Sequence, residues 1–311
     1  MARQTRMDSV VQYLLDGLSL GVIYALLALG YSLAGRAGHS LSFANAGAGL
    51  FGVAVSLTVL SASAALGVRF EFVAVLLAFT TAIAAASACG WVTGANLRVV
   101  APRQRGLLPL LVPAGLVIIA AAALDFANRL PVTNYLRPSP TSFFTLGIPG
   151  WLQITIAPEK LVIITAGIAL FGIALPLIRR TGFGRKCRAV AQDRGMAELF
   201  GVDLKRVDLV TVLSSFAIAA AAGSMMVLDG AAVDVNSSVL TVASAFAAAV
   251  VAGPQSIPRA AGAGFIAGAA TAMWSDFFGL GYAEPAIFSI LLFLLAFSPL
   301  RRGTRAITEQ I

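Results

Sequence analysis

Charge is what this chain of 311 residues lacks: Asp, Glu, Lys and Arg together make up 12% of it. A soluble domain carries about 25% charged residues on its water-exposed surface. The shortage excludes an ordinary soluble globule, and a mean hydropathy of +0.89 points the same way. Histidine occurs once, as His39. Metal centres normally take three or four ligands, so no metal site is expected. The two cysteines, Cys89 in an apolar run and Cys187 in a basic one, give no disulfide framework. Cys187 instead offers a chemical handle for the sidedness of its segment. No G-x-x-x-x-G-K phosphate loop and no H-E-x-x-H pair occurs. No catalytic residue and no cofactor are expected in this chain.

What is present is long apolar runs. No Asp, Glu, Lys or Arg occurs in residues 37–68, 72–97, 106–124, 161–178, 209–228, 235–258, 260–275 or 285–300. Runs of about twenty such residues cross a bilayer as helices. Residues 286–297 hold nine Leu, Ile or Phe. At roughly −0.3 to −0.6 kcal/mol each, they favour insertion by about 3–5 kcal/mol. The pattern predicts an all-α, polytopic transmembrane bundle of about eight or nine spans, forming a single domain over residues 1–311. Spans are expected near 11–33, 44–66, 72–97, 107–124, 160–178, 208–228, 238–253, 259–279 and 284–299. The segment 238–253 and the start of the second span are candidates for re-entrant pieces. The first span is long and ends in no small-residue cleavage pattern, so it reads as a retained helix.

Positive charge sets the orientation. With the loops at 98–105 and 179–207 and the tail from Arg301 inside, the inner face holds 16 Lys or Arg and the outer face six. The mirror arrangement inverts that ratio, so the N-terminus is expected outside and the C-terminus in the cytoplasm. The formal charge of +8 then belongs to inner loops and anionic lipid rather than to nucleic acid. The outer segment 125–159 is rich in proline, which prevents a long helix. A hairpin over residues 143–156, turning at Ile148-Pro149-Gly150, is expected there. Gly17 and Gly21, like Gly264 and Gly268, are small residues four apart. Such pairs let membrane helices approach closely.

The inner loop 179–207 carries eight of the 22 Lys and Arg. It has a helical pattern that ends at Gly201, with Asp193 placed as an N-terminal cap. Arg185, Lys186, Arg188 and Arg194 are candidates to meet acidic groups of a partner. Charges within the spans are scarce. Asp16, Asp229, Asp234, Asp276 and Glu284 fall near predicted span ends and read as interfacial. A transporter without coupling charges or a nucleotide site must borrow energy from elsewhere.

Three blocks resemble the permease subunits of branched-chain amino-acid ABC importers, the LivH/LivM family. The first is Asp16-Gly17-Leu18-Ser19-Leu20-Gly21-Val22-Ile23-Tyr24-Ala25-Leu26-Leu27-Ala28-Leu29-Gly30-Tyr31, similar to the family's opening helix. The second is the basic loop, with Gly184-Arg185, Arg188-Ala189, Asp193, Ala197, Gly201 and Val202 at the family's spacing. The third runs from Ala245-Phe246 through Gly253-Pro254-Gln255-Ser256, with Gly262 and Gly268 beyond. Asn45 and Gly47 depart from the family, which usually has histidine and an acidic residue there.

The resemblance implies a second permease subunit, identical or related, and two cytoplasmic ABC ATPases. It also implies an extracytoplasmic solute-binding protein, with ATP and Mg held by the ATPase subunits. It places coupling to the ATPases on Arg185, Arg188, Ala189, Asp193, Ala197, Leu199 and Gly201. Candidates for lining the translocation path are Tyr24, Ser42, Phe43, Asn45, Asn236 and Ser244. For the polar ones an interhelical hydrogen bond is the competing role. The competing functions are a stand-alone carrier or channel and an importer for an amide or other small solute.

Overall fold

The computed structural model describes residues 2–37, 39–66, 71–100, 108–129, 144–148, 152–156, 158–230, 234–253, 256–278 and 280–297. In chain order the elements are α1 (Ala2–Ala37), α2 (His39–Ala65), α3 (Glu71–Val100), α4 (Leu108–Asn128), β1 (Phe144–Ile148) and β2 (Leu152–Ile156). They continue with α5 (Pro158–Arg180), α6 (Gly182–Gln192), α7 (Arg194–Leu199), α8 (Leu204–Leu228), α9 (Val235–Ala252), α10 (Ile257–Phe278) and α11 (Leu280–Phe297). Long helices dominate because a chain in lipid must satisfy its backbone N–H and C=O groups internally.

Among the described residues, six helices are long and apolar enough to cross a membrane, through residues 14–36, 44–63, 73–94, 159–180, 204–228 and 235–252. Two shorter apolar stretches, 114–128 and 282–296, lie in α4 and α11. α10 is 22 residues long, but Pro258, Arg259 and its glycines lower its hydropathy. These nine helices match the nine expected spans in position. The expected hairpin is present as antiparallel β1 and β2, with Phe144 opposite Ile156 and Ile148 opposite Leu152. Its turn lies outside the described residues.

α1 is the centre of the bundle. It packs on α2, α5, α8, α9 and α10, and residues 21–34 are buried without interruption. Glycines and alanines set the close crossings. At Gly268 an added Cβ would come within 2.5 Å of Leu20 O and 2.8 Å of Gly21 Cα. At Gly264 it would meet Tyr24 O at 2.6 Å and Ala28 Cβ at 2.8 Å. Gly21 faces Phe265, whereas a Cβ added at Gly17 would stay 3.8 Å from Ala269. α2 and α8 touch in the same way: Gly52 lies against the Ala220 backbone, and Gly223 against Gly49 O.

The two ends of the bundle differ in chemistry. At one end Lys160, opening α5, forms an ion pair with Asp16 of α1. Ser19 of α1 donates a 3.1 Å hydrogen bond to Asp229, just beyond α8. Burial pushes the Asp229 carboxyl up, while Lys160 and Ser19 pull it down. β2 also packs on α1. At the other end Arg36 of α1 lies beside Cys187 and Arg188 of α6. α1 therefore runs from the face of the Asp16–Lys160 pair to the face of the basic loop, which agrees with the expected placement of the N-terminus opposite that loop.

Gly17-Leu18-Ser19-Leu20-Gly21 has the letter spacing G-x-S-x-G of a hydrolase nucleophile turn. Ser19 nevertheless lies within α1, not on a strand-to-helix turn, and its hydroxyl is buried against Asp16 O and Asp229.

Candidate functional site

The basic loop folds as two helices at an angle, not as the single helix its pattern suggests. α5 ends in Arg179 and Arg180, positive charges that suit the negative end of a helix dipole. Thr181 then caps α6, accepting a 3.2 Å bond from Gly184 N. Gly184 lies against Ile178 O with no room for a Cβ. Arg188 reaches back and donates to Ile178 O at 2.8 Å and to Arg179 O at 3.3 Å, covering the free carbonyls of α5. Glycine and arginine at this spacing thus fold the chain sharply from α5 into α6.

Asp193 breaks the helix. Its backbone is extended at φ −151° and ψ 112°, and its side chain accepts from Met196 N at 3.0 Å. It ends α6 and caps α7. α7 closes as a Schellman motif: Gly201 N donates to Glu198 O at 2.9 Å and Val202 N to Ala197 O at 3.0 Å. Gly201 has φ +77°, where a Cβ would be strained. Cys187, Val190, Ala197 and Val207 bury a small core beneath the elbow, with Val202 and Ala189 packed on it.

The basic residues divide into two groups. Arg188 is engaged with α5, and Arg194 forms a 2.6 Å ion pair with Asp208 of α8. These two already have partners within the chain and help to hold the elbow, although Arg194 remains exposed. Arg185 and Lys186 are exposed. Beside them α7 presents Met196, 51% exposed, with Leu199 and Phe200 each 81% exposed.

Cys187 does not serve as the handle its position suggests. It is buried, 3.2 Å from the Thr211 hydroxyl, and burial pushes its thiol up. A thiol held protonated and out of solvent is inert. Cys187 is therefore expected to resist maleimides in the folded protein even in detergent. A cysteine at Lys186, by contrast, reacts with an impermeant maleimide from one side only. Rapid labelling of Cys187 without unfolding would contradict this packing.

A second polar site lies within the bundle, among α1, α9, α10 and α11. The Tyr24 side chain is 1% exposed and its hydroxyl makes no hydrogen bond. The side chains of Thr271, Thr241 and Ser244 stand around it, with the Glu284 carboxylate beyond. Thr241 donates to Glu284 Oε1 at 3.1 Å. Ser244 donates to Leu240 O at 2.7 Å and Thr271 to Ala267 O at 2.9 Å. A buried hydroxyl left unpaired costs about 1–3 kcal/mol, so its persistence calls for a reason.

Of the path candidates, the structure brings Tyr24 and Ser244 together. Asn45 is buried elsewhere, oriented to donate to Ser215 O at 3.0 Å and accept from Tyr31 N at 3.2 Å, which ties α2 to α1 and α8. Asn236 is exposed near the start of α9, away from this cluster. Ser42 and Phe43 lie in α2, outside the residues whose side chains are described. Thr241 and Thr271 escaped the sequence reading, and Glu284 was read as an interfacial charge. A signal existed for two of them: Asp234, Ser237, Thr241 and Ser244 recur every three or four residues down one face of α9, and Glu284 faces that stripe.

Long apolar helices packed around a buried α1, with a polar cluster inside and a capped two-helix elbow at one end, define a polytopic membrane protein of the transporter type. The family model described as "Branched-chain amino acid transport system / permease component" matches residues 13–298. The chain belongs to this family. It is similar to the high-affinity branched-chain amino acid transport system permease protein BraD of Pseudomonas aeruginosa, with 29% identity over 297 residues, covering 93% of this chain and 94% of the relative. It is also similar to the permease protein LivH of Salmonella typhimurium and of Escherichia coli, at 29% identity over 296 residues, again covering 93% and 94%. No solved structure matches the chain.

Proposed function

We propose that the chain is the membrane-spanning permease subunit of an ATP-driven importer for branched-chain or other small amino acids. The observation that carries this reading is the α6–α7 elbow. Its frame is fixed by Arg188, Asp193, Arg194 and Gly201, and its outer edge leaves Leu199 and Phe200 bare. Large apolar side chains held exposed on a rigid, basic support suit a protein partner. On this reading the partner is a cytoplasmic ABC ATPase, which supplies ATP and Mg. Arg185 and Lys186 meet its acidic rim.

A second permease subunit completes the path. A solute-binding protein delivers substrate at the face of the Asp16–Lys160 pair and the hairpin. Closure of the ATPases pushes on α7. The elbow is tied directly to α5 and α8, so the push rocks those helices and alternates access. The elbow and the C-terminus face the cytoplasm. Purified alone in liposomes, the chain is expected to accumulate no leucine under a sodium or proton gradient. Adding the ATPase subunits, a partner permease, the binding protein and ATP restores uptake. Accumulation driven by an ion gradient alone would replace the importer reading with a stand-alone carrier.

A further inference from the structure

We propose that Tyr24, Thr241, Ser244, Thr271 and Glu284 form the point at which the primary ammonium group of a transported solute is held within the membrane. This rests on the permease reading and names the part of the solute that the chain itself recognises.

The hydrogen-bond inventory of the cluster carries the inference. Three of its hydroxyls have already placed their protons: Thr241 on Glu284, Ser244 on Leu240 O and Thr271 on Ala267 O. Each has acceptor capacity left and no second proton to give. Glu284 is a carboxylate within the bundle, and the groups facing it are Thr241, Ser237 and Asp234. None of these is a cation. The site is thus rich in acceptors and has no positive group among these neighbours. A primary ammonium brings three N–H donors and one positive charge, which is what the cluster lacks. Multivalent metal ions are a poorer match, because they draw on several carboxylates.

Tyr24 decides further. Its hydroxyl is buried and makes no well-formed hydrogen bond, although three hydroxyls surround it. A donor has no use beside a bare cation. It does suit the carboxylate that neighbours an ammonium in an amino acid. The stripe on α9 provides a route to the site, from exposed Asp234 past Ser237 to Thr241 and Ser244. Glu284, half-buried, stands beside its middle.

The test uses the chain assembled with its partner subunits in nanodiscs and three labelled probes in equilibrium dialysis. The probes are L-leucine, leucinol, which keeps the amine, and isocaproate, which keeps the carboxylate. Leucine and leucinol are expected to bind saturably, and isocaproate at least ~10-fold more weakly. Glu284→Gln is expected to weaken both amines by ~10-fold or more, and Thr241→Val by less, without affecting isocaproate. Isocaproate binding as tightly as leucinol would overturn the proposal, as would no binding of either amine to the wild type. So would full leucinol affinity in a Glu284→Gln protein with an unchanged melting temperature. The wild-type ranking of the probes needs no variant, so misfolding of a mutant leaves the test intact. The permease reading fails separately, if ATP drives no leucine uptake while leucinol still binds through Glu284.

Discussion

Replacing Leu199 and Phe200 together by aspartate is expected to abolish ATP-driven uptake while the protein still inserts and folds. Both side chains are 81% exposed, so the isolated chain loses no packing when they change. In the assembled transporter their burial is worth about 1.5–3 kcal/mol each. Two carboxylates in the same place add a desolvation cost. At 1.4 kcal/mol per tenfold, contact with the ATPase weakens by at least about a hundredfold. Uptake and co-purification of the ATPase should fall together, with normal membrane levels of the permease. Normal uptake and normal co-purification would remove α7 from the coupling surface.

The frame of the elbow predicts a milder companion effect. Asp193→Ala removes the cap that ends α6 and starts α7, at a cost of about 1 kcal/mol. α7 has six residues, so a loss of that size frays most of it. Uptake should fall more than permease abundance.

Gly268→Leu is expected to give the largest loss of folded protein. The new Cβ would stand 2.5 Å from Leu20 O and 2.8 Å from Gly21 Cα, both of them backbone atoms. Backbone does not rotate aside, so α1 and α10 must separate. Overpacking costs about 1–3 kcal/mol where side chains can yield, and more where they cannot. α1 is also the helix on which α2, α5, α8 and α9 pack, so its displacement spreads through the bundle. Gly17→Ala is the control: the nearest atom to its new Cβ is 3.8 Å away, an ordinary contact. Its effect should stay within about 0.5 kcal/mol. The measurement is the fraction of monodisperse protein in detergent and its melting temperature. A Gly268→Leu protein as abundant and stable as wild type would show that this helix crossing is not as close as described.

The loop reads as one short helix around residues 188–201, with Asp193 as a cap within it and Gly201 as its stop, and both of those roles are present. Asp193 divides it because its carboxylate satisfies Met196 N, while its backbone N–H still closes α6 on Ala189 O. The capping role of Asp193 was legible, but its consequence, a break, was not. Arg188 and Arg194 likewise read as free charges. Only the fold shows one covering the carbonyls of α5 and the other paired with Asp208. Glu284 read as an interfacial charge for the same reason: its partner Thr241 is 43 residues away in the chain.

The amino-acid order by itself determined that this is a membrane bundle, where its helices run, and where in the chain its basic loop and its hairpin lie. Those features follow from local hydropathy, charge and proline, each of which acts within about twenty residues. Tertiary structure alone decided which sparse polar groups share one place. In a chain so poor in charge, the polar groups around Tyr24 come from three other helices. Their meeting depends on how closely glycine and alanine let α1 and α10 approach, a distance that no single segment encodes.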